Sequence, residues 1–343
     1  MENNNAAPPP PAGNVKTNLQ GTFGTQARLS ERPAAPLLVF DIETVPDIRL
    51  MKAAYEPVLD FISTPENDWN DLRIVEAIRA QKNIHFPPPL YHQVVSVCAL
   101  FVHPETYAIK DGFKKTIPTP SSYEELRDGE AQLLREFWEF SIKYREHTRT
   151  WYDAVQSDFR MNDYQRKKLK PVPVTFCGYN ISGFDLPVIE QRSMRHLLTC
   201  PIPEYAQESG YDSYRSKFAL DKCFDLCHFI AGNASSRVGL DVIAQSMGLA
   251  GKLSGMDGSR VAESYFQNKE WELIEEYCAV DVLITYGVLL GVQKFRGLLD
   301  TEQFKDCLKQ FERFLNQEGK PPSYRALAEN SREFFAAVYR TDI

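Results

Sequence analysis

Apolar residues along this chain fall into short unbroken runs and longer helical stripes, in an order that sketches a mixed sheet with helices packed on it. The first run is Leu37 to Phe40, which leads straight into Asp41-Ile-Glu43. A short continuous apolar run is the pattern of a strand buried on both faces. Gln93 to Val102 and Tyr107 to Phe113 are joined by His103-Pro-Glu-Thr106 and predict an antiparallel hairpin extending the same sheet. Val174 to Tyr179 and Cys223 to Phe229 predict two further short strands.

Helical spacing runs over Trp69–Gln81, before Pro87-Pro-Pro89 stops it, and over Ser122–Tyr144, where Leu126, Leu133, Leu134, Phe137 and Phe140 share a face. Further helices are predicted at Leu186–Leu198, Gly239–Leu249, Thr301–Gln317 and Ser323–Arg340, with the strongest at Trp271–Leu299. Residues 47–90 read as an insertion, 148–170 as a polar connection and 199–222 as an irregular second insertion. Hairpin strands followed by alternating helix and strand give an α/β fold, a mixed sheet flanked by helices.

Composition narrows this little. The 343 residues, 43% hydrophobic and 25% charged, suffice for one large domain or two ordinary ones. A formal charge of −7 argues against a general polyanion-coating protein but allows a locally basic groove. Arg160 and Arg166-Lys-Lys-Leu-Lys170 are either a phosphate-facing edge or a solvated loop. The seven scattered cysteines form no paired framework, so a reduced, cytoplasmic setting is expected. Cys223-x3-Cys227-His228 begins like a zinc cluster, but no second ligand pair follows at suitable spacing. Residues 1–35 carry a Pro8–Pro11 run and few apolar residues, and read as a disordered arm. No signal-peptide core or membrane span is visible.

Three constellations offer chemistry. Asp41 and Glu43 project from the same side of a strand end, where two carboxylates stay ionised together only around a cation; hard ions such as magnesium or manganese suit oxygen donors. The bland alternative is a strand end running into a polar turn. Gly178-Tyr-Asn-Ile-Ser-Gly-Phe-Asp-Leu-Pro187 places Asn180 in a turn and Asp185 at a helix start, where it serves equally as a cap. Tyr277 and Asp281, four residues apart, share one helix face beside an apolar stripe.

Taken together and in this order, the three resemble the exonuclease motifs of the DEDD superfamily in its tyrosine subclass, with a ribonuclease H-like fold. They are similar in particular to predicted 3′–5′ exonucleases related to the proofreading domain of family-B DNA polymerases. Phe40-Asp-Ile-Glu-Thr-Val-Pro-Asp47, Tyr179-Asn-x-x-Gly-Phe-Asp-Leu-Pro187, Gly239-Leu-Asp241, Gly251-Lys252, Asp257-Gly258 and Tyr277-Cys-x-x-Asp-Val282 carry the resemblance. It covers roughly 36–295.

The resemblance implies hydrolysis of phosphodiester bonds from a single-stranded 3′ end by two divalent ions, Mg2+ or Mn2+, about 3.5–4 Å apart. Asp41 would bridge both ions, Glu43 and Asp281 complete one and Asp185 support the other. Tyr277 would orient the attacking water. Asn180, Phe184 and Thr44 would hold the terminal nucleotide, with Lys252, Arg192, Arg195 and Arg237 as candidate phosphate contacts. The expected organisation is an arm over 1–35, an exonuclease domain over 36–299 and a C-terminal helical extension over 300–343. The arm or the last helices are where a protein partner would bind. The alternative is an idle exonuclease fold that binds nucleic acid or scaffolds a complex.

Overall fold

The structure, a computed structural model, describes residues 33–55, 68–157, 162, 172–207, 210–232, 237–251 and 255–336. Its centre is a five-stranded sheet in the order β3-β2-β1-β4-β5. Strands β1 (Leu37–Pro46), β2 (His92–Val102) and β3 (Ile109–Thr116) form an antiparallel meander. Strands β4 (Thr175–Gly178) and β5 (Cys223–Asp225) continue from β1 in parallel. The apolar run of 37–40 is therefore the middle strand, and the hairpin expected from residues 93–113 is present beside it.

Alternation along β1 divides the interior in two. Leu38, Phe40 and Ile42 enter one core, where Phe40 packs its ring 5.3 Å from Phe137 and 5.8 Å from Phe176. This face is covered by α3 (Tyr123–Ser141) and α5 (Asp185–Arg195). Leu37 and Val39 enter the other core, under α8 (Trp271–Phe295). Apolar residues surround α8 on nearly every side, the composition of a buried helix. Gly291 lies against Met247, where an added Cβ would stand 2.0 Å from the methyl carbon and would push that flexible side chain aside. Helices α9 (Thr301–Leu315), α10 (Pro322–Asn330) and α11 (Arg332–Ala336) pack onto this second core.

The remaining helices of six residues or more are α1 (Ile48–Tyr55), α2 (Leu72–Lys82), α4 (Glu146–Gln156), α6 (Leu226–Ala231) and α7 (Leu240–Ser246). Several depart from expectation. Cys223–Phe229 is strand for three residues only; Asp225 then accepts from the His228 backbone N–H at 3.2 Å and turns the chain into α6. The polar stretch expected as a connection is α4 over its first part, anchored where the Thr148 hydroxyl donates to the Val172 carbonyl at 3.0 Å. The final predicted helix breaks at Ser331, whose buried hydroxyl accepts from the Ala250 N–H at 2.9 Å. Residues 1–32 of the arm, Arg160, the 166–170 basic run and Lys252 lie outside the described residues.

Candidate active site

Where β1 outruns β4, its backbone loses a parallel partner: the last pair is Val39 with Cys177. Beyond that point the freed N–H of Ile42 donates to the Asp185 carboxylate. Asp185 is thus the first residue of α5 but not its cap. The N-cap is Phe184, which makes no side-chain capping bond. Gly178 permits the close crossing that brings this turn over β1, since a Cβ there would stand 2.9 Å from the Phe40 carbonyl oxygen.

Asp41 and Glu43 project from β1 toward α8. Their carboxylate oxygens and the Cys278 sulfur lie within 4.8 Å of one another. The Cys278 thiol donates to the Asp41 backbone carbonyl at 3.5 Å, which fastens α8 to the strand at this level. Tyr277, 5% exposed, makes a side-chain hydrogen bond with Asp281 one turn along. Three separate elements, β1, the start of α5 and α8, therefore deliver the four predicted carboxylates and the tyrosine to one place.

The electrostatics follow from that crowding. Burial pushes the Asp41 carboxyl well above its ordinary range, and the negative charges of Asp185, Glu43 and Asp281 push it further. Burial likewise raises Asp185 to about 7, against two stabilising backbone hydrogen bonds. The Tyr277 hydroxyl is held protonated, first by burial and then by Asp281, Glu43 and Asp41. Burial and the neighbouring Cys98 thiol keep Cys278 protonated as well. The available donor set is then four carboxylates with no thiolate, which suits hard divalent cations.

The other predicted residues divide. Asn180 sits in the left-handed region at φ 64° and its side-chain oxygen accepts from Arg237 at 2.6 Å, so these two are joined at the edge of the site. Phe184 packs against His92 and Phe86, ring centres 4.9 Å and 5.3 Å away. The Thr44 hydroxyl is taken up by the His92 Nδ1 at 2.9 Å, while Nε2–H of the same ring donates to the Pro87 carbonyl. Burial holds this imidazole neutral, lowering its pKa to about 4. The Thr44 hydroxyl proton is therefore engaged by His92.

Arg192 corrects an expectation. It is 1% exposed and bonds Glu130 at 2.6–2.8 Å and Asp47 at 2.8 Å, so it braces the fold and cannot meet a phosphate. Arg195 is partly exposed and donates to the Tyr123 hydroxyl. Asp225 is a residue that sequence reasoning does not single out. Its two oxygens accept from the backbone N–H groups of Asn180 and Ser182 at 2.9 and 3.0 Å, so it sets the turn that carries Phe184 and Asp185. The Tyr179-Asn-x-x-Gly pattern signals that turn but not its distant anchor.

A comparison with known families matches residues 164–336 to the predicted 3′–5′ exonucleases related to the exonuclease domain of PolB. The matched half of the chain contains Asp185, Tyr277 and Asp281, while Asp41 and Glu43 lie N-terminal to it. No curated protein and no solved structure matches significantly. The mixed five-stranded sheet with helices on both faces is consistent with a ribonuclease H-like exonuclease fold. The chain belongs to the family of predicted 3′–5′ exonucleases related to the exonuclease domain of PolB.

Proposed function

We propose that this protein is a metal-dependent 3′–5′ exonuclease that hydrolyses the terminal phosphodiester of a single-stranded nucleic acid, with DNA favoured. The observation that carries the reading is the convergence of Asp41, Glu43, Asp185 and Asp281, whose mutual repulsion is evident at Asp41. Such crowding serves no packing purpose, and cations relieve it.

Two divalent ions, Mg2+ or Mn2+, would supply a deprotonated water and neutralise charge on the leaving 3′-oxygen. Asp41, which feels the charge of all three other acids, would take part in holding both ions. Glu43 and Asp281 would complete one ion's ligands and Asp185 would support the other. The Tyr277 hydroxyl, protonated and bonded to Asp281, would hold the attacking water in line. Phe184 offers a ring to the terminal base and Asn180, with Arg237, a polar edge to its sugar or phosphate. The exonuclease domain would span 36–299, with residues 300–343 as a helical extension, whose described part, to 336, packs onto the second core.

Incubating the protein with 3′- and 5′-labelled single-stranded DNA and RNA, with Mg2+, Mn2+ or chelator, tests polarity, sugar preference and metal need together. Mononucleotides should leave the 3′ end only when metal is present. Asp41→Ala should slow release about a thousandfold or more. A wild-type protein that binds single strands but cuts none under any metal would instead be an idle exonuclease fold.

A further inference from the structure

His92, the first residue of β2, is 4% exposed, and its ring touches two residues expected to hold the terminal nucleotide, Thr44 and Phe184. Thr44 directly follows Glu43 and Phe184 directly precedes Asp185, so one imidazole joins the two chain segments that carry these carboxylates. The register between β1 and β2 shifts between Glu43 and Thr44. Such irregularities re-aim side chains. Here the side chain that follows, Thr44, is the one that reaches the ring.

The hydrogen-bond directions in this cluster follow by elimination. A carbonyl oxygen only accepts, so Nε2, 3.0 Å from the Pro87 carbonyl, carries the ring's proton. Burial holds the ring neutral, with the positive charges of Arg79 and Arg192 in support, so Nδ1 has a lone pair and no proton. The Thr44 hydroxyl therefore donates to Nδ1, at 2.9 Å. Thr44 is only half-buried, and with its proton committed its Oγ1 offers lone pairs alone to whatever approaches. The same ring stands perpendicular to Phe184, centres 4.9 Å apart, and steadies that aromatic face. An apolar ring would fill the same space; it would not fix which way the Thr44 hydroxyl points.

Given the exonuclease function proposed for the acidic centre, on which this rests, we propose that His92 is a positioning residue: it holds Thr44 Oγ1 as an acceptor for a hydroxyl of the terminal sugar and fixes the Phe184 ring against the terminal base. A hydroxyl suits such an oxygen because it brings a proton, whereas a phosphate ending brings mainly negative charge and lone pairs. The sugar has two sources of that proton, its 3′- and its 2′-hydroxyl, and the chemistry at Thr44 is the same for both.

Single-stranded DNA whose last sugar carries only the 3′-hydroxyl, only the 2′-hydroxyl or neither separates the two sources. kcat/KM with Mg2+ measures how well each end is cut, and fluorescence anisotropy in chelator measures how well it is bound. Wild type should favour a hydroxyl-bearing end over the dideoxy end, and Thr44→Val should reduce that preference about three- to tenfold. The end whose advantage falls identifies the hydroxyl. His92→Phe and His92→Asn both lose the Pro87 bond and share its structural cost. Phenylalanine keeps a ring without an acceptor and should reduce the preference as Thr44→Val does. Asparagine keeps an acceptor near the Nδ1 position without a ring, and should retain the preference while binding all three ends about three- to tenfold more weakly. Loss of folded protein alone would lower all ends together and leave their ratios unchanged. Equal use of the three ends by wild type overturns the proposal, as does a preference that survives Thr44→Val or His92→Phe. Loss of the preference in His92→Asn as complete as in His92→Phe overturns it too, leaving the ring a packing group only. If wild type cuts none of the ends, it is the exonuclease function that fails, and the ratios of affinity then support or overturn the Thr44 contact by the same criteria.

Discussion

Tyr277 and Phe86 show how much one side chain can be asked to do here. The Tyr277 hydroxyl is a protonated donor packed beside three carboxylates, so the role proposed for it is to position the water. Tyr277→Phe keeps the ring and removes the hydroxyl. Single-turnover rates should fall about ten- to a thousandfold with an unchanged melting midpoint; equal rates would remove Tyr277 from the mechanism. Phe86 is 62% exposed and touches Phe184, the ring assigned to the terminal base. If Phe184 stacks on the terminal base as proposed, this exposed ring would meet the next base along the strand. Phe86→Ala should weaken single-strand binding by about 1–2 kcal/mol, measured by fluorescence anisotropy in chelator. Affinity equal to that of wild type would leave the ring a surface contact only.

Among the elements, α5 bears the heaviest structural duty, because it carries both Asp185 and Arg192. The Arg192 guanidinium ties α5 to Glu130 of α3 and to Asp47, which also accepts from the Leu50 N–H at the start of α1. Arg192→Ala would leave two carboxylates buried without that counter-charge. Denaturant unfolding should show a loss of roughly 3–5 kcal/mol; a loss below about 1 kcal/mol would mean the network is wetter than its burial indicates. What is legible in the sequence also differs from element to element. β1 and α8 are legible because an unbroken apolar run is stable only when buried on every side. The three site motifs are legible because each occurs on the element type that a shared centre needs. α4 is not, since a polar helix resting on the fold by a residue such as Thr148 gives a weak period. Arg192 reads as a surface cation because its partners lie 62 and 145 positions away. Asp225 is hidden for the same reason, holding a turn 43–45 positions before it.

At the scale of the whole molecule, the acidic centre is expected to make stability depend on pH, and on metal if the proposed ions bind. The Asp185 carboxyl is raised from 3.8 to about 7 by folding, so the native state binds the extra proton between those values. Its contribution to stability is therefore full below about pH 4 and is lost as pH rises through about 7, and Asp41 moves in the same direction. Thermal melts in chelator should show the midpoint falling from about pH 5 to pH 8. Magnesium at a hundred times its dissociation constant should restore about 2.7 kcal/mol at pH 8, and much less in Asp281→Asn. A midpoint indifferent to both pH and magnesium would make the carboxylates structural. With a net charge of −7, nucleic acid would be held by few contacts, so the affinity should depend only weakly on salt.

The bond from the Cys278 thiol to the Asp41 carbonyl gives the molecule a built-in clock. Cys98 and Cys278 are 2% and 0% exposed, where β1, β2 and α8 meet. Neither sulfur is reachable by an alkylating reagent until α8 lifts from the sheet, and burial keeps Cys278 protonated and unreactive until then. The rate at which these two thiols are labelled under native conditions thus counts openings of the helix that carries Tyr277 and Asp281. A bound cation, joining β1 to α8 through their acids, should slow that count in proportion to its occupancy. The acidic centre can be followed in this way without any substrate present.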